Sequence, residues 1–353
     1  MAAIDINSVD WREVVKKNTR KSYIVIAFFL IIFFALGFFI DLVWRYGQYG
    51  GMLTYGGYRL SFSEIAYLIA TLKLTPWATI ISSVIAFIWL IATFSYYDKI
   101  MLSGTKYREI HLSDPDPLCQ RIYNVVEEMK IAAGMPYMPK VYLIEADYMN
   151  AFASGFSEKS SMVAVTRALA SRLNRDELQA VMAHELTHIR NQDTKLNLFT
   201  VVLSNMLMFM IEFLFYSTLF SSNRGRRDNN SGGNAMAIIF MVIMLLRFVL
   251  PIITSMMMLF LSRTREYMAD AGAVELMRDN KPMGSALIKI SQNHSEPQTA
   301  QGYAHNSNER MRRASYLYDP ASARFASGGM ADMFSTHPSL KKRLASIGAD
   351  LRS

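Results

Sequence analysis

The chain has 353 residues, 52% of them hydrophobic with 21 Phe and 24 Met, and 37 basic against 29 acidic residues give a net charge of +8. That apolar excess excludes a soluble domain of average composition. The charge does not mark a nucleic-acid binder, since the bases gather beside apolar runs and neither a binding motif nor a phosphate-cradling glycine loop occurs. One cysteine, Cys119, excludes an intramolecular disulfide and fits a reducing compartment.

Four apolar runs are long enough to span a bilayer. The first, 23–40, contains no charge; it is too long, and lacks a small-residue cleavage site, for a cleaved signal peptide. Arg12, Lys16, Lys17, Arg20 and Lys21 precede it, which puts the N-terminus in the cytoplasm. The second, 77–97, is aromatic at both ends and returns the chain to the cytoplasm near Asp98.

Residues 98–195 read as a compact α+β segment. A helix over 116–133 buries Ile122, Val125, Val126 and Met129, with Cys119 as an inert small hydrophobe. Val141, Tyr142, Leu143 and Ile144 form a buried strand. Asn150, Ala151, Phe152, Ala153, Ser154 and Gly155 then alternate into a turn and a second strand over 162–166, a hairpin by pattern. If the strand borders a cleft, a peptide can add to its edge, and Ala151, Ala153 and Ser154 leave room for one. An ordinary sheet edge is the plainer reading.

The segment 174–195 reads as one amphipathic helix, opened by Asn174 and Glu177 as a capping box. Its apolar stripe is Leu178, Val181, Met182, Leu186 and Ile189. Beside that stripe lies His184-Glu185-Leu186-Thr187-His188. This composition yields H-E-x-x-H by chance only ~0.004 times per chain, so coincidence is a poor account of it. Residues i and i+4 share a helix face, so both imidazoles can reach one metal ion, and Glu185 can take a proton from water activated there. A catalytic zinc needs a third protein ligand. Asn191 and Thr194 stand where a metzincin would need glycine and histidine, so the ligand comes from elsewhere.

The third run, 196–220, contains Glu212; the fourth, 235–261, contains Arg247 and Pro251. As a hairpin they place Glu212 and Arg247 at similar depth, where an unpaired charge is costly, so the two are expected to pair. Arg224, Arg226 and Arg227 at the hairpin tip run against the positive-inside rule. The following helix, 263–278, carries Glu266 and Asp270 at i and i+4: one could ligate the metal while the other orients a histidine, and spacing does not say which. A solvated helix pairing these acids with Arg263 and Arg265 is an equal alternative. If the two histidines and one of these acids share a metal, the hairpin crosses an even number of times and the site faces the cytoplasm. A helix over 281–292, a long loop over 294–335, and His337 before Pro338 with a last helix bearing Arg343 complete the chain. His337 by itself reads as a capping arrangement.

The expected fold is a mainly α membrane protein with four transmembrane helices and a cytoplasmic α+β, zincin-like protease domain with a small sheet. Its parts are 1–97 (N-terminus and two spans), 98–195 (first half of the protease), 196–261 (hairpin) and 262–353 (second half). Together the pieces resemble the HtpX family of bacterial membrane zinc metalloproteases, relatives of the type I CAAX prenyl proteases. The match rests on the two N-terminal spans, 150–155, His184 to His188 with Asp193, the apolar hairpin, Glu266 with Asp270, and Thr336-His337-Pro338-Ser339 with Arg343. Ser154 stands where the family often has threonine, and the region before His337 is longer.

The resemblance implies one Zn2+ on His184, His188 and Glu266, with Asp270 and Asp193 supporting them. It also implies that His337 and Arg343 lie near the active site, where they would stabilise substrate or oxyanion, with Glu185 as base. The substrate would align on Asn150, Ala151, Phe152, Ala153 and Ser154. The implied role is quality control and stress response in the bacterial plasma membrane, with unfolded or misfolded membrane proteins as partners, no nucleic acid, and oligomers allowed. A non-catalytic zinc-binding chaperone or scaffold is the alternative from another class. An intramembrane protease ranks lower, because His184 precedes a span, and a CAAX protease has more spans.

Overall fold

The computed structural model describes residues 11–49, 60–222, 232–295, 315–318 and 338–349, and it divides into two compact units. One unit comprises Ile24–Ser95 and Val202–Ser255; the other comprises Met1–Tyr23, Tyr96–Val201 and Met256–Ser353. Among the described residues the chain is mostly helical with a small mixed sheet.

The first unit is built from long apolar helices. These are α1 (Trp11–Tyr49), short α2 (Phe62–Ala70), α3 (Trp77–Leu102), α7 (Asp193–Ser222) and α8 (Gly232–Met277), of which α1, α3, α7 and α8 each run on into the other unit. Among the described residues three stretches are long and apolar enough to cross a membrane: Glu13–Tyr46, Trp77–Leu102 and Asp193–Tyr216. The fourth expected span is represented by a shorter apolar stretch, Phe240–Ile253, inside α8, which continues through Pro251. Large side chains such as Ile31, Phe34, Phe87, Phe213 and Phe248 lie exposed on these helices, as lipid-facing residues do.

Polar contacts join the helices of this unit. The α1 residue Asp41 is fully buried and accepts from the Ala78 and Thr79 amides at 2.9 and 2.7 Å, supplying partners to the first turn of α3. Gly37 lets α1 and α3 meet, since a Cβ there would sit 2.2 Å from Ser82 Oγ. The expected Glu212–Arg247 pair forms at 3.8 Å, with Arg247 also lying over the Phe215 ring.

The second unit contains a four-stranded sheet of order β1-β2-β4-β3, from β1 (Tyr107–Ile110), β2 (Lys140–Ile144), β3 (Ala151–Gly155) and β4 (Ser161–Thr166). The hairpin β3–β4 is antiparallel as its alternation implies, β2 and β4 are parallel, and β1 joins antiparallel at one edge. Around it pack α4 (Pro117–Ala132, capped by Asp116), α5 (Arg167–Arg172), α6 (Arg175–Arg190), α9 (Lys281–Ser295) and α10 (Leu340–Ser346). Val163, Val165, Leu143, Ile122, Val126, Val181 and Leu186 share the core. Burial pushes the Cys119 thiol up to about 11, so it stays protonated and inert, although Arg108 Nη2 lies 2.8 Å from its sulfur.

The helix expected over 174–195 is two helices. Asn191 ends α6, Gln192 takes a left-handed φ of 58°, and α7 starts at Asp193. This break turns Asp193 back toward α6. The helix is also less amphipathic than its stripe implies: its second half is buried on nearly every side between the sheet, α4 and α9.

Candidate metal centre

The site grows from α6. Asn174 Oδ1 accepts from the Glu177 amide and Glu177 Oε2 from the Asn174 amide, both at 2.9 Å, closing the expected capping box. Glu177 is further held by Ser285 Oγ at 2.5 Å and Lys289 Nζ at 2.7 Å, which ties the helix start to α9. Two turns on, His184 and His188 project from one face with their Nε2 atoms 3.1 Å apart.

Glu266, on α8, reaches the same point: Oε2 lies 3.9 Å from His184 Nε2 and Oε1 3.6 Å from His188 Nε2. These three residues form a candidate metal cluster whose ligand atoms all lie within 4.8 Å of one another. Tetrahedral zinc with bonds of about 2.0–2.1 Å sets its donors ~3.3 Å apart, and the cluster fits that spacing.

The outer partners fix which nitrogens face the centre. His184 Nδ1 lies 2.9 Å from Asp270 Oδ1, and His188 Nδ1 lies 3.1 Å from Asp193 Oδ2. A ring whose Nδ1–H serves a carboxylate presents its Nε2 lone pair. Two lone pairs 3.1 Å apart repel unless a cation or proton stands between them, and two imidazoles with a carboxylate are a donor set suited to a metal cation.

Electrostatics separates the two histidines. Burial is the main effect on His184 and pulls its pKa down despite Asp270. For His188 burial acts in the same direction, but the Asp193 hydrogen bond and the Glu266 charge outweigh it and lift the pKa to about 8. Glu185 is buried, and among the described residues its carboxylate has no side-chain hydrogen-bond partner, with the Ala153 amide the backbone group that acts on it. Its carboxyl rises to about 7, chiefly by desolvation, with His188 and the Ala153 amide pulling the other way.

Arg343 is put to a use the sequence did not indicate. It is 2% exposed, and its Nε and Nη2 donate to Asp270 at 2.8 and 2.5 Å. Its Nη1 donates to the Leu317 carbonyl at 2.6 Å and lies 3.8 Å from Glu266 Oε2. A guanidinium so engaged has little left for an oxyanion. It braces Asp270, whose carboxyl it holds below the usual range against the opposing effect of burial. His337 lies outside the described residues, as does most of the loop expected over 294–335.

The expected substrate strand is the sheet edge, β3, and α6 packs on it. Part of that edge is occupied by the chain itself. Phe152 pairs antiparallel with Tyr316, the Leu317 amide donates to Ala151 O at 2.9 Å, and Asn150 Nδ2 donates to Tyr318 O at 3.0 Å. Asn150 and Ala151 therefore serve an internal bridge, and among the described residues 153–155, with the buried Ser154, remain as the outer edge nearer Glu185.

Sequence reasoning also missed Gly272. A Cβ there would stand 2.5 Å from Thr187 Cγ2, so glycine is what allows α8 to approach α6 between the two histidines. The signal was a small residue two positions after Asp270.

Comparison with known proteins fits this geometry. Residues 118–350 match the profile of Peptidase family M48. The Protease HtpX homolog of Helicobacter acinonychis (strain Sheeba) is 35% identical over 346 residues, covering 96% of this chain and 98% of its own. That of Helicobacter pylori (strain Shi470) is 36% identical over 345 residues with the same coverage. That of Limosilactobacillus fermentum is 35% identical over 267 residues, 75% of this chain and 84% of its own. Among solved structures, S. mikatae Ste24p aligns with a TM-score of 0.46 at 20% identity, over 80% of this chain and 60% of that one. The chain belongs to peptidase family M48 and is a membrane-bound protease of that family.

Proposed function

We propose that the protein is a zinc endopeptidase of the bacterial cytoplasmic membrane that cleaves misfolded or damaged membrane proteins on the cytoplasmic side. The observation that carries this reading is the convergence of His184, His188 and Glu266 with a buried Glu185 beside them that has no side-chain partner among the described residues. A zinc ion held by the three ligands would polarise the scissile carbonyl and lower the pKa of water at the site toward neutrality.

Glu185 takes a proton from the water that attacks the carbonyl carbon and passes it to the departing amine as the C–N bond breaks. Burial raises this carboxyl in the metal-free site, the direction that favours its taking up a proton. Asp193 and Asp270 hold the imidazoles in register, and Arg343 holds Asp270. The substrate backbone extends the sheet along 153–155, beside the internal bridge at Tyr316. His337 is the remaining candidate donor to the oxyanion. The cytoplasmic orientation rests on the bases before the first span and on the even crossing of α7 and α8.

The test is cleavage of unfolded casein by detergent-purified protein, wild type against Glu185→Gln, with zinc quantified in both. The expected result is equal zinc and at least a 10²-fold loss of cleavage in the variant. Cleavage retained by Glu185→Gln would remove Glu185 as the base.

A further inference from the structure

The metal centre has a partner outside the region matched by the family profile. Asn18 lies on α1, ahead of the apolar part of the first span and 100 residues before the match begins at 118. It is 4% exposed, and its Nδ2 makes two hydrogen bonds, to Asp193 Oδ1 at 2.7 Å and to Asn191 O at 2.9 Å. Asp193 is itself buried, and its other oxygen, Oδ2, lies 3.1 Å from His188 Nδ1. A continuous chain of hydrogen bonds thus runs from α1 to a ligand imidazole.

We infer that Asn18 is a positioning residue for the metal ligand His188, acting through Asp193. The chemistry of the side chain suits that work. Asp193 has two oxygens: one lies against His188, and the other accepts from Asn18 at 2.7 Å in a buried setting where an acceptor left without a donor is costly. Asn supplies that donor without adding a charge beside Asp193, whose carboxylate already feels the Lys21 ammonium. A lysine here would compete with His188 for the same carboxylate.

The second proton of the amide settles the backbone. Asn191 is the C-cap of α6, and the carbonyls at a helix end lack intrahelical partners. Accepting from Asn18, its carbonyl is satisfied at the very corner where Gln192 turns the chain through φ 58°. One side chain therefore fixes both the corner and the carboxylate it presents. Because α1 is one helix from Trp11 to Tyr49, the residue that steadies His188 is built into the helix that carries the first candidate span.

The inference rests on His188 being a ligand, and the experiment separates the two. Zinc affinity is measured on the full-length protein in detergent by competition with a chelating dye. The variants are Asn18→Leu, Asn18→Asp, Ser22→Ala, Asp193→Ala, Asn18→Leu/Asp193→Ala and His188→Ala, each checked for its unfolding temperature. Outer partners of metal ligands typically matter 10–100-fold, so one step further out an effect of roughly 5-fold is expected for Asn18→Leu. Asn18→Asp, which sets a second carboxylate against Asp193, should lose at least as much. Ser22→Ala removes only a hydroxyl donating to Asn18 O and should bind as wild type.

In the Asp193→Ala background, Asn18→Leu should cause no further loss, since its route to His188 is gone. Wild-type affinity in both Asn18 variants, or an equal loss with and without Asp193, would overturn the inference. Unchanged zinc binding in His188→Ala would instead overturn the ligand assignment, and the positioning role with it.

Discussion

Replacing Arg343 separates a structural brace from an oxyanion donor. Its guanidinium is 2% exposed, makes two charged hydrogen bonds to the fully buried Asp270, and holds the Leu317 carbonyl. Arg343→Met keeps most of the volume but leaves Asp270 as an uncompensated buried charge and Leu317 O without that donor. Breaking one side of a buried pair costs about 3–5 kcal/mol, and the abandoned carbonyl ~1 kcal/mol more. At about 2–4 °C per kcal/mol for a domain of this size, the unfolding temperature should fall by roughly 10 °C or more. Asp270 loses its fixed position against His184, so zinc affinity should fall with it. Arg343→Lys should lie between, because an ammonium does not reproduce the two-pronged contact. The assay is thermal unfolding in detergent with zinc titrated in parallel. A variant with wild-type stability and zinc affinity but a lower kcat would refute the brace and restore the oxyanion role that the family resemblance implies.

Gly272→Ala should weaken zinc binding by pushing α8 and its Glu266 away from α6, and Thr187→Ala should partly restore it by removing the Cγ2 and Oγ1 atoms 2.5 and 2.7 Å from the new methyl. Chelator competition on the single and double variants checks this, and an uncompensated loss would mean that the contact is not the cause. His188 titrates near 8 in the metal-free site against 6.5 unfolded, so it stabilises the metal-free protein below pH 6.5 and stops doing so as pH rises through 8. The lift from 6.5 to about 8 corresponds to ~2 kcal/mol. Urea unfolding of metal-free protein at pH 6.5 and 8.5 should show that fall, and His188→Ala should abolish it; a slope that survives the substitution belongs to another group.

The motif-bearing parts were legible because their signals are local. H-E-x-x-H needs only helical spacing, the capping box at Asn174 needs three residues, and the β3–β4 hairpin follows from alternation around a polar turn. What escaped lies in contacts distant in sequence. Arg343 meets Asp270 across 73 residues and Asn18 meets Asp193 across 175, and no periodicity encodes either pairing. The break at Gln192 was hidden because apolar and polar residues keep a helical rhythm straight through it. Strand β1, Tyr107-Arg108-Glu109-Ile110, went unrecognised because an edge strand with two charges carries little apolar signal. Its place is set by pairing with β2. The edge of β3 read as free because a four-residue partner at 315–318 is too short to announce itself as a strand.

The most direct test of the account is X-ray absorption at the zinc edge on purified wild type and Glu266→Ala. The account predicts one zinc per chain with two imidazole nitrogens and a carboxylate oxygen in the wild type, and loss of the carboxylate with much weaker retention in the variant. An unchanged coordination spectrum in Glu266→Ala, or a wild-type chain that takes up no zinc when it is supplied, would contradict it.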